Sequence, residues 1–173
     1  PAGLMAALVA ARSGADVILA DEDSRPGGRA LSETAEIDGR PGPDWVAAAL
    51  EDLAETGRVR VMTRTTVTGA YDQGTYGALE RVSHHLADPA GRPRETFWRI
   101  AARQAILAAG AIERPIAFPG NDRPGVMLAG AVRAYVNRWA VAPGRSVAVL
   151  ANNDDAHRTA LDLVQHSPIR KLL

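Results

Sequence analysis

A glycine and an acidic residue, Gly3 and Asp21, are spaced like the two ends of a dinucleotide-binding motif. Pro1-Ala2-Gly3 has the form of the second half of a GxGPAG fingerprint, and a helix-then-strand pattern runs from it to Asp21. In such motifs the last glycine permits close helix–strand packing, the helix N-terminus faces a pyrophosphate, and the acid accepts hydrogen bonds from ribose hydroxyls. Pro1, Ala2, Gly3 and Asp21 are therefore predicted to bind an adenine dinucleotide.

The elements between these residues fit that prediction. Small apolar residues follow Gly3 at helical spacing, Gly14 ends the helix, and Val17–Ala20 is an apolar run short enough for a buried strand. The first two glycines of the fingerprint and the strand before them are not in the sequence. We therefore expect the chain to start within its own motif, with the first strand missing.

A second group of candidate residues follows Asp21. Glu22 opens a turn-rich stretch that leads to Gly27, Gly28 and Arg29. Adjacent glycines allow a backbone to approach a nucleotide where a side chain would collide, although a flexible loop explains the same pair. Coming just after Asp21, they are predicted to contact the cofactor.

Two later positions are predicted to return to the same cofactor. Val67 lies where folds of this type offer backbone groups to an adenine ring. Ala105–Gly110 is predicted to be an apolar strand that ends in small residues, so that Ala109 and Gly110 pass close to the dinucleotide. A buried strand followed by a glycine turn is the alternative explanation for that segment.

Composition limits the classes of function. The 173 residues suffice for one ordinary domain, and 46% of them are hydrophobic. Zero net charge, without a basic tract, makes nucleic acid and anionic membranes poor candidates for partners. The absence of cysteine excludes disulfides, thiol catalysis and cysteine-ligated metals. No apolar run reaches the roughly 18 residues of a membrane span.

These patterns predict an α/β fold of the glutathione-reductase-like, FAD/NAD(P)-binding class. Its Rossmann-type parallel sheet would carry an inserted antiparallel meander at about residues 65–101, and residues 1–144 would form the dinucleotide-binding domain. Residues 145–173 would begin a second Rossmann-like unit. Its turn at residues 151–155 has two carboxylates and no glycine, so we expect a helix cap and a solvated acidic edge there rather than a nucleotide site.

No residue is a credible catalyst or metal ligand. His84 and His85 have no third ligand at a recognisable spacing, and adjacent strand residues face opposite ways. We interpret both as surface or inter-subunit residues. The predicted set of catalytic residues is therefore empty, as is the predicted set of metal ligands.

Two longer stretches carry a family resemblance. Gly110 to Gly144 (GAIERPIAFPGNDRPGVMLAGAVRAYVNRWAVAPG) and Thr75 to Leu86 (TYGALERVSHHL) are similar to the α subunit of heterotetrameric sarcosine oxidases. The resemblance covers essentially the whole chain, and these stretches are far more specific than the fingerprint. It implies a cytoplasmic bacterial oxidoreductase that acts on CH–NH donors with oxygen. Such an enzyme demethylates sarcosine to glycine, forms peroxide and passes a one-carbon unit to tetrahydrofolate.

The resemblance also implies cofactors and partners. NAD would bind this α-subunit segment, FAD and FMN would lie mainly on the β subunit, and two smaller subunits would complete the heterotetramer. The segment would bind dinucleotide and support the flavin-bearing subunit, and alone it is expected to be inactive. Two alternatives stay open: an FAD-binding segment of an opine or amino-acid dehydrogenase, and a non-catalytic docking subunit.

Overall fold

The structure is a computed structural model that describes residues 1–166 and 171–172. Residues 167–170 and 173, which belong to the predicted second Rossmann-like unit, lie outside the described residues. In chain order the helices and strands are α1 (Ala2–Arg12), β1 (Val17–Ala20), β2 (Glu36–Ile37), β3 (Arg40–Pro41), α2 (Gly42–Glu55), β4 (Val59–Met62), β5 (Thr65–Tyr71), β6 (Thr75–Arg81), β7 (Glu95–Ala101), α3 (Ala129–Arg133), β8 (Ser146–Val147), α4 (Asp155–His166) and β9 (Lys171–Leu172).

The chain divides into two compact units. The first unit comprises Pro1–Gly27 and Val46–Ala109, and the second comprises Gly28–Trp45 and Gly110–Leu173. These units do not coincide with the domain boundary predicted at residue 144. That boundary stays a prediction, because compactness alone does not define a domain that folds independently.

A parallel strand pair and a helix form the first part of the first unit. Strands β1 and β4 pair in parallel from Val17 opposite Val59 to Ala20 opposite Met62. Helix α1 buries a stripe of small and branched apolar residues at spacings of three and four, which is the pattern of a helix packed along one face. The stripe consists of Leu4, Ala7, Leu8 and Ala11. The α/β fold class predicted from the sequence is confirmed.

The antiparallel meander predicted near residues 65–101 is present in the first unit. Strands β5, β6 and β7 pair in that order, each antiparallel to the next. Ala78 at the centre of β6 is fully buried. The Trp98 indole contacts two charged side chains. Its Nε1 donates to Glu80 Oε2 at 2.7 Å, and the Arg60 guanidinium carbon lies 4.4 Å from its ring centroid.

The segment at residues 105–110 differs from the strand expected there. It has no assigned strand structure, and Ile106 and Leu107 are 70% and 92% exposed. A strand is defined by hydrogen bonds to a neighbour, and among the described residues this segment has no strand partner. The prediction of a strand at residues 105–110 is therefore wrong.

The sequence predicts a helix from Trp45 to Glu55, capped by Asp44 and packed through Trp45, Val46, Ala49, Leu50 and Leu53, but helix α2 starts earlier. Asp44, expected to cap the helix, lies in its first turn because the helix begins at Gly42. A Cβ atom at Gly42 would lie 2.2 Å from the backbone oxygen of Ala30, so only glycine fits at this helix start. The predicted packing face is confirmed: Val46 and Leu53 are almost completely buried.

The second unit contains the remaining helices. Helix α3 continues into a π-helical turn at Ala134–Arg138. A buried apolar cluster packs this segment against α4 and consists of Val132, Val136 and, from α4, Leu163. The apolar pattern of Arg145–Leu150 predicts a strand that begins this second Rossmann-like unit, but only Ser146–Val147 pairs, in parallel, with β9. No helix among the described residues has the length and apolar character to span a membrane.

Candidate functional site

The glycine of the predicted fingerprint lies at a close helix–strand contact in the first unit. A Cβ atom at Gly3 would lie 3.4 Å from Ala108 Cβ and 3.8 Å from Leu19 Cδ1. Gly3 is the second residue of α1, and Leu19 lies near the carboxyl end of β1. At these distances a single methyl group would just fit, so the start of the helix and the end of the strand are packed closely around Gly3, as the motif requires.

The start of α1 exposes backbone donors without a side-chain cap. Pro1 and Ala2 are exposed, and the first turn contains no acidic residue and no side-chain capping bond. The first backbone N–H groups of a helix have no partner within the helix, and the helix dipole places partial positive charge there. This end of α1 is therefore suited chemically to an anionic group.

Asp21 lies directly after β1, as predicted. Its backbone N–H donates to Met62 O at 2.9 Å, which continues the parallel pairing, and its backbone oxygen accepts from Thr65 N at 2.8 Å. Its carboxylate Oδ1 accepts from Asp23 N at 2.9 Å. The half-buried side chain is thus fixed at the carboxyl edge of the strand pair, where ligands bind in open α/β sheets.

The neighbouring candidates in the first unit are placed by the same elements. Glu22 is exposed, and its backbone oxygen accepts from Arg81 Nη2 at 2.9 Å. Val67 is 51% exposed on β5, which lies at the edge of the meander beside a bulge. Ala109 is exposed and directly follows Ala108, which contacts the Gly3 position. The first unit therefore places Gly3 beside Leu19 of β1 and Asp21 directly after the same strand. Cofactor contacts by Glu22, Val67 and Ala109 stay predictions.

Three glycines that were predicted to bind the cofactor have positive φ angles. The φ angles are +140° at Gly27, +54° at Gly28 and +73° at Gly110, all in the region that favours glycine. Gly28, Arg29 and Gly110 belong to the second unit. Their contact with a cofactor stays a prediction.

Arg29 belongs to a closed ring of alternating charges in the second unit, here called the charge ring: Arg29, Glu33, Arg133 and Asp155. Arg29 binds Glu33 through Nε and binds Asp155 through Nη2 at 3.0 Å. Arg133 Nη1 lies 3.8 Å from Glu33 Oε1 and 3.4 Å from Asp155 Oδ1. Each carboxylate is therefore shared by two arginines.

The buried arginine of the ring has a third acidic partner. The Arg133 side chain is only 3% exposed, and its Nε donates to Asp162 Oδ2 at 2.9 Å. Asp162 also accepts from Thr34 Oγ1 and Asn137 Nδ2, each at 3.0 Å. A buried charge is tolerated only when it is paired and hydrogen-bonded, and Arg133 meets both conditions.

These contacts correct the role expected for the turn at residues 151–155. The first backbone N–H of α4, Asp155 N, donates to Asn153 Oδ1 at 3.0 Å. Asp155 instead binds two arginines. Partial burial raises the pKa of its carboxyl, but the Arg29 hydrogen bond and the charges of Arg29, Arg133 and Arg158 outweigh burial and hold that pKa below its ordinary value.

A cleft of about 200 Å³ lies beside the charge ring in the second unit. Arg29, Ser32 and Glu33 line one part of it, together with Arg133. Glu113 lines another part, and its two carboxylate oxygens accept from Gly130 N at 2.9 and 3.1 Å. Glu113 thereby satisfies a backbone donor at the start of α3.

The sequence did not reveal the charge ring, because Arg29 and Glu33 are far along the chain from Arg133 and Asp155 and no common motif links the two pairs. It also missed a carboxylate near His84, whose Nε2 lies 3.5 Å from Glu95 Oε1 across the end of the meander. Both side chains are about two-fifths exposed. No group of three metal-binding side chains occurs among the residues that the structure describes.

No protein-family model matches the chain. The sarcosine oxidase α subunit of Rhizobium meliloti is 52% identical over 164 residues, and that of Corynebacterium sp. (strain P-1) is 46% identical over 166 residues. Each match covers 94% of this chain and 17% of the relative. A subunit of the opine oxidase of Agrobacterium tumefaciens is 33% identical over 87% of this chain and 30% of its own length.

Among solved structures, L-proline dehydrogenase from P. horikoshii is similar in fold. The TM-score is 0.78 and the sequence identity 26%, over 95% of this chain and 31% of that protein. The chain thus spans less than a third of each relative that it matches. The resemblance noted at Thr75–Leu86 and Gly110–Gly144 is confirmed, since the chain is similar over 94% of its length to part of the sarcosine oxidase α subunits.

Proposed function

We propose that this chain is the dinucleotide-binding region of one subunit of an oxidoreductase, with NAD as its cofactor. The observation that carries the proposal is the contact of Gly3 with Leu19 and Ala108, close to Asp21 at the end of β1. The uncapped start of α1 would bind the pyrophosphate, and the Asp21 carboxylate would accept from the adenosine ribose. NAD supplies hydride-transfer chemistry when it is bound.

The activity proposed for the whole protein is that of a heterotetrameric sarcosine oxidase. It would convert sarcosine to glycine with formation of peroxide and pass the one-carbon unit to tetrahydrofolate. Support comes from the 52% identity to a sarcosine oxidase α subunit. We therefore assign the chemistry to the flavins of a β subunit, with two smaller subunits completing the complex, and the cytoplasm as its location.

Two other functions are kept as alternatives. The first is an FAD-binding segment of an opine or amino-acid dehydrogenase, because NAD and FAD present the same ADP group to Gly3 and Asp21. The similarity to the opine oxidase and to L-proline dehydrogenase favours it. The second is a docking subunit without a cofactor, which the mostly exposed segment at residues 105–112 would suit.

Cofactor release separates the three functions. The intact protein, purified with its partner subunits, would be denatured and the released nucleotide identified by chromatography and mass spectrometry. Release of NAD that is lost in the Asp21→Asn variant supports the proposal. Release of FAD with the same dependence on Asp21 favours the first alternative, and release of neither nucleotide from the wild type favours the second.

A further inference from the structure

Strand β7 is a free edge of the meander in the first unit. It lies at one side of the sheet, and no described strand pairs with its outer edge. Ala102 N donates to Gly74 O at 2.9 Å where the ladder with β6 ends, and backbone groups alternate in direction along an antiparallel strand. The backbone N–H and C=O groups of Glu95, Phe97 and Arg99 therefore point away from β6. An exposed row of this kind is a template for pairing with another strand.

The two edges of the meander differ in their protection. The opposite edge, β5, has a bulge between Val67 and Gly69. A bulge interrupts the hydrogen-bonding row and twists the strand, which is a common way of preventing edge pairing. Strand β7 instead pairs with β6 in unbroken register from Glu95 to Ala101 and contains no proline. It is thus the edge of the meander that is able to accept a further strand.

The exposed face of β7 carries an acid, an aromatic ring and a base at two-residue intervals. Glu95, Phe97 and Arg99 share this face, and Phe97 is 63% exposed. The Phe97 ring lies over Gly77 of β6, where a Cβ atom would be 2.9 Å from the ring Cζ atom. Glu95 Oε1 lies 3.5 Å from His84 Nε2, and no described residue forms an ion pair with Arg99.

This order of side chains is self-complementary when the strand pairs antiparallel with itself. With Phe97 opposite Phe97, Glu95 of each copy lies opposite Arg99 of the other, so that opposite charges meet on both sides of the centre. The same register joins the outward backbone groups of both strands in hydrogen-bonded pairs. A centre at Trp98 would place Glu95 opposite Ala101, and a centre at Arg99 would place two like charges together. Charge complementarity therefore favours a second copy of the chain and selects one register.

We propose that β7 pairs antiparallel with β7 of a second copy of this chain, centred on Phe97, and joins the two three-stranded meanders into one continuous sheet. The exposed Phe97 rings would become directly opposed neighbours, which removes apolar surface from water. The paired segment is short, so the dimer is expected to dissociate on dilution. This pairing does not depend on which nucleotide the chain binds.

Charge reversal tests the pairing in the intact protein with its partner subunits. Arg99→Glu and Glu95→Arg each place like charges opposite one another and should raise the dimer dissociation constant about tenfold. The double variant exchanges the two signs and should restore the wild-type constant. Arg103→Glu is the matched control, because this exposed arginine lies just beyond the strand and should leave the constant unchanged. Sedimentation velocity over a dilution series measures all five proteins.

The double variant separates strand pairing from the contact with His84. Glu95→Arg and the double variant both lose the proximity of Glu95 to His84, but only the single variant should dissociate more easily than the wild type. A wild type that does not dimerise at any concentration would overturn the proposal. So would a double variant that dissociates as easily as the single variants do.

Cysteine crosslinking tests the register and the identity of the second strand. The chain contains no cysteine, so one introduced cysteine is unique within it. A short bis-maleimide should join two copies of the Phe97→Cys variant, because the Cα atoms of directly opposed residues are about 5.5 Å apart. It should not join two copies of Ala101→Cys, which the register separates by about 27 Å. A crosslink between two Ala101→Cys copies, or one from Phe97→Cys to a different subunit in place of a second copy, would contradict the proposed pairing.

Discussion

Gly3 and Ala108 are separated by little more than one methyl group: a Cβ atom at Gly3 would lie 3.4 Å from Ala108 Cβ. Leu19 Cδ1 would lie 3.8 Å from the same atom. A single methyl group would make ordinary van der Waals contact at these distances, but a branched side chain has no comparable room. The size of the side chain at Gly3 is therefore a direct test of the helix–strand contact.

Gly3→Ala should keep both stability and dinucleotide binding close to the wild type, while Gly3→Val should lose both. Overpacking of this kind costs about 1–3 kcal/mol of stability, and the shifted helix start should weaken NAD binding more than tenfold. Calorimetric melting and NAD titration of the intact protein measure the two effects. Equal NAD affinity in the two variants would show that the start of α1 is not at the pyrophosphate.

Asp21→Asn should weaken NAD binding by about 1.5–3 kcal/mol, the value of a hydrogen bond to a charged group. The preference for NAD over NADP should relax as well, because the carboxylate no longer repels a 2′-phosphate. The melting temperature should change little, since Asn can still accept from Asp23 N, which now donates to Asp21 Oδ1. Dissociation constants for NAD and NADP measure the effect, and unchanged values would remove Asp21 from the site.

Arg133→Met should destabilise the protein by about 3–5 kcal/mol, because it leaves the buried Asp162 carboxylate without its cation. Arg12→Met is the control. Arg12 pairs with Asp52 at 3.0 Å, but the two side chains are 61% and 46% exposed. An exposed pair of this kind contributes about 0–1 kcal/mol. Urea unfolding of both variants compares them, and equal losses would contradict the burial of Arg133.

Acid should weaken the charge ring through Asp155. Burial tends to raise the pKa of this carboxyl, but Arg29 and Arg133 hold it below its ordinary value in the folded protein. A lowered folded pKa contributes stability above the unfolded pKa of about 3.9, and that stability is lost as the pH falls through the folded value. The wild type should therefore melt at a higher temperature than Asp155→Asn at neutral pH, with the difference shrinking below about pH 4. A constant difference would contradict the ion pairing.

Local patterns predicted the elements around Gly3 and Asp21 well. The apolar run at Val17–Ala20 is the strand β1, and the helical spacing of Val46 and Leu53 marks a buried face. Such features depend on neighbouring residues, whose side-chain periodicity follows directly from backbone geometry. The place of Asp21 at the strand end could therefore be read from the sequence, and the structure bears out that placement.

The charge ring could not be predicted in this way. Arg29 and Asp155 are 126 positions apart, and no local sequence motif links them. Asp155 at a helix start is typical of a cap, yet its carboxylate binds Arg29 and Arg133, and it is Asn153 Oδ1 that accepts from the first backbone N–H of the helix. The prediction of a strand at residues 105–110 was wrong for a related reason, because strand pairing depends on a neighbouring strand that is distant in sequence.

The stacking of Arg60 on Trp98 gives the first unit its own fluorescent reporter. The three tryptophans of the chain divide between the units: Trp98 lies in the first, whereas Trp45 and Trp139 lie in the second. Arg138 lies 4.7 Å from the Trp139 ring centroid, so a cation also contacts an indole there. The emission that is lost when Trp98 is replaced by phenylalanine therefore reports the meander of the first unit, whereas the remaining emission comes from Trp45 and Trp139.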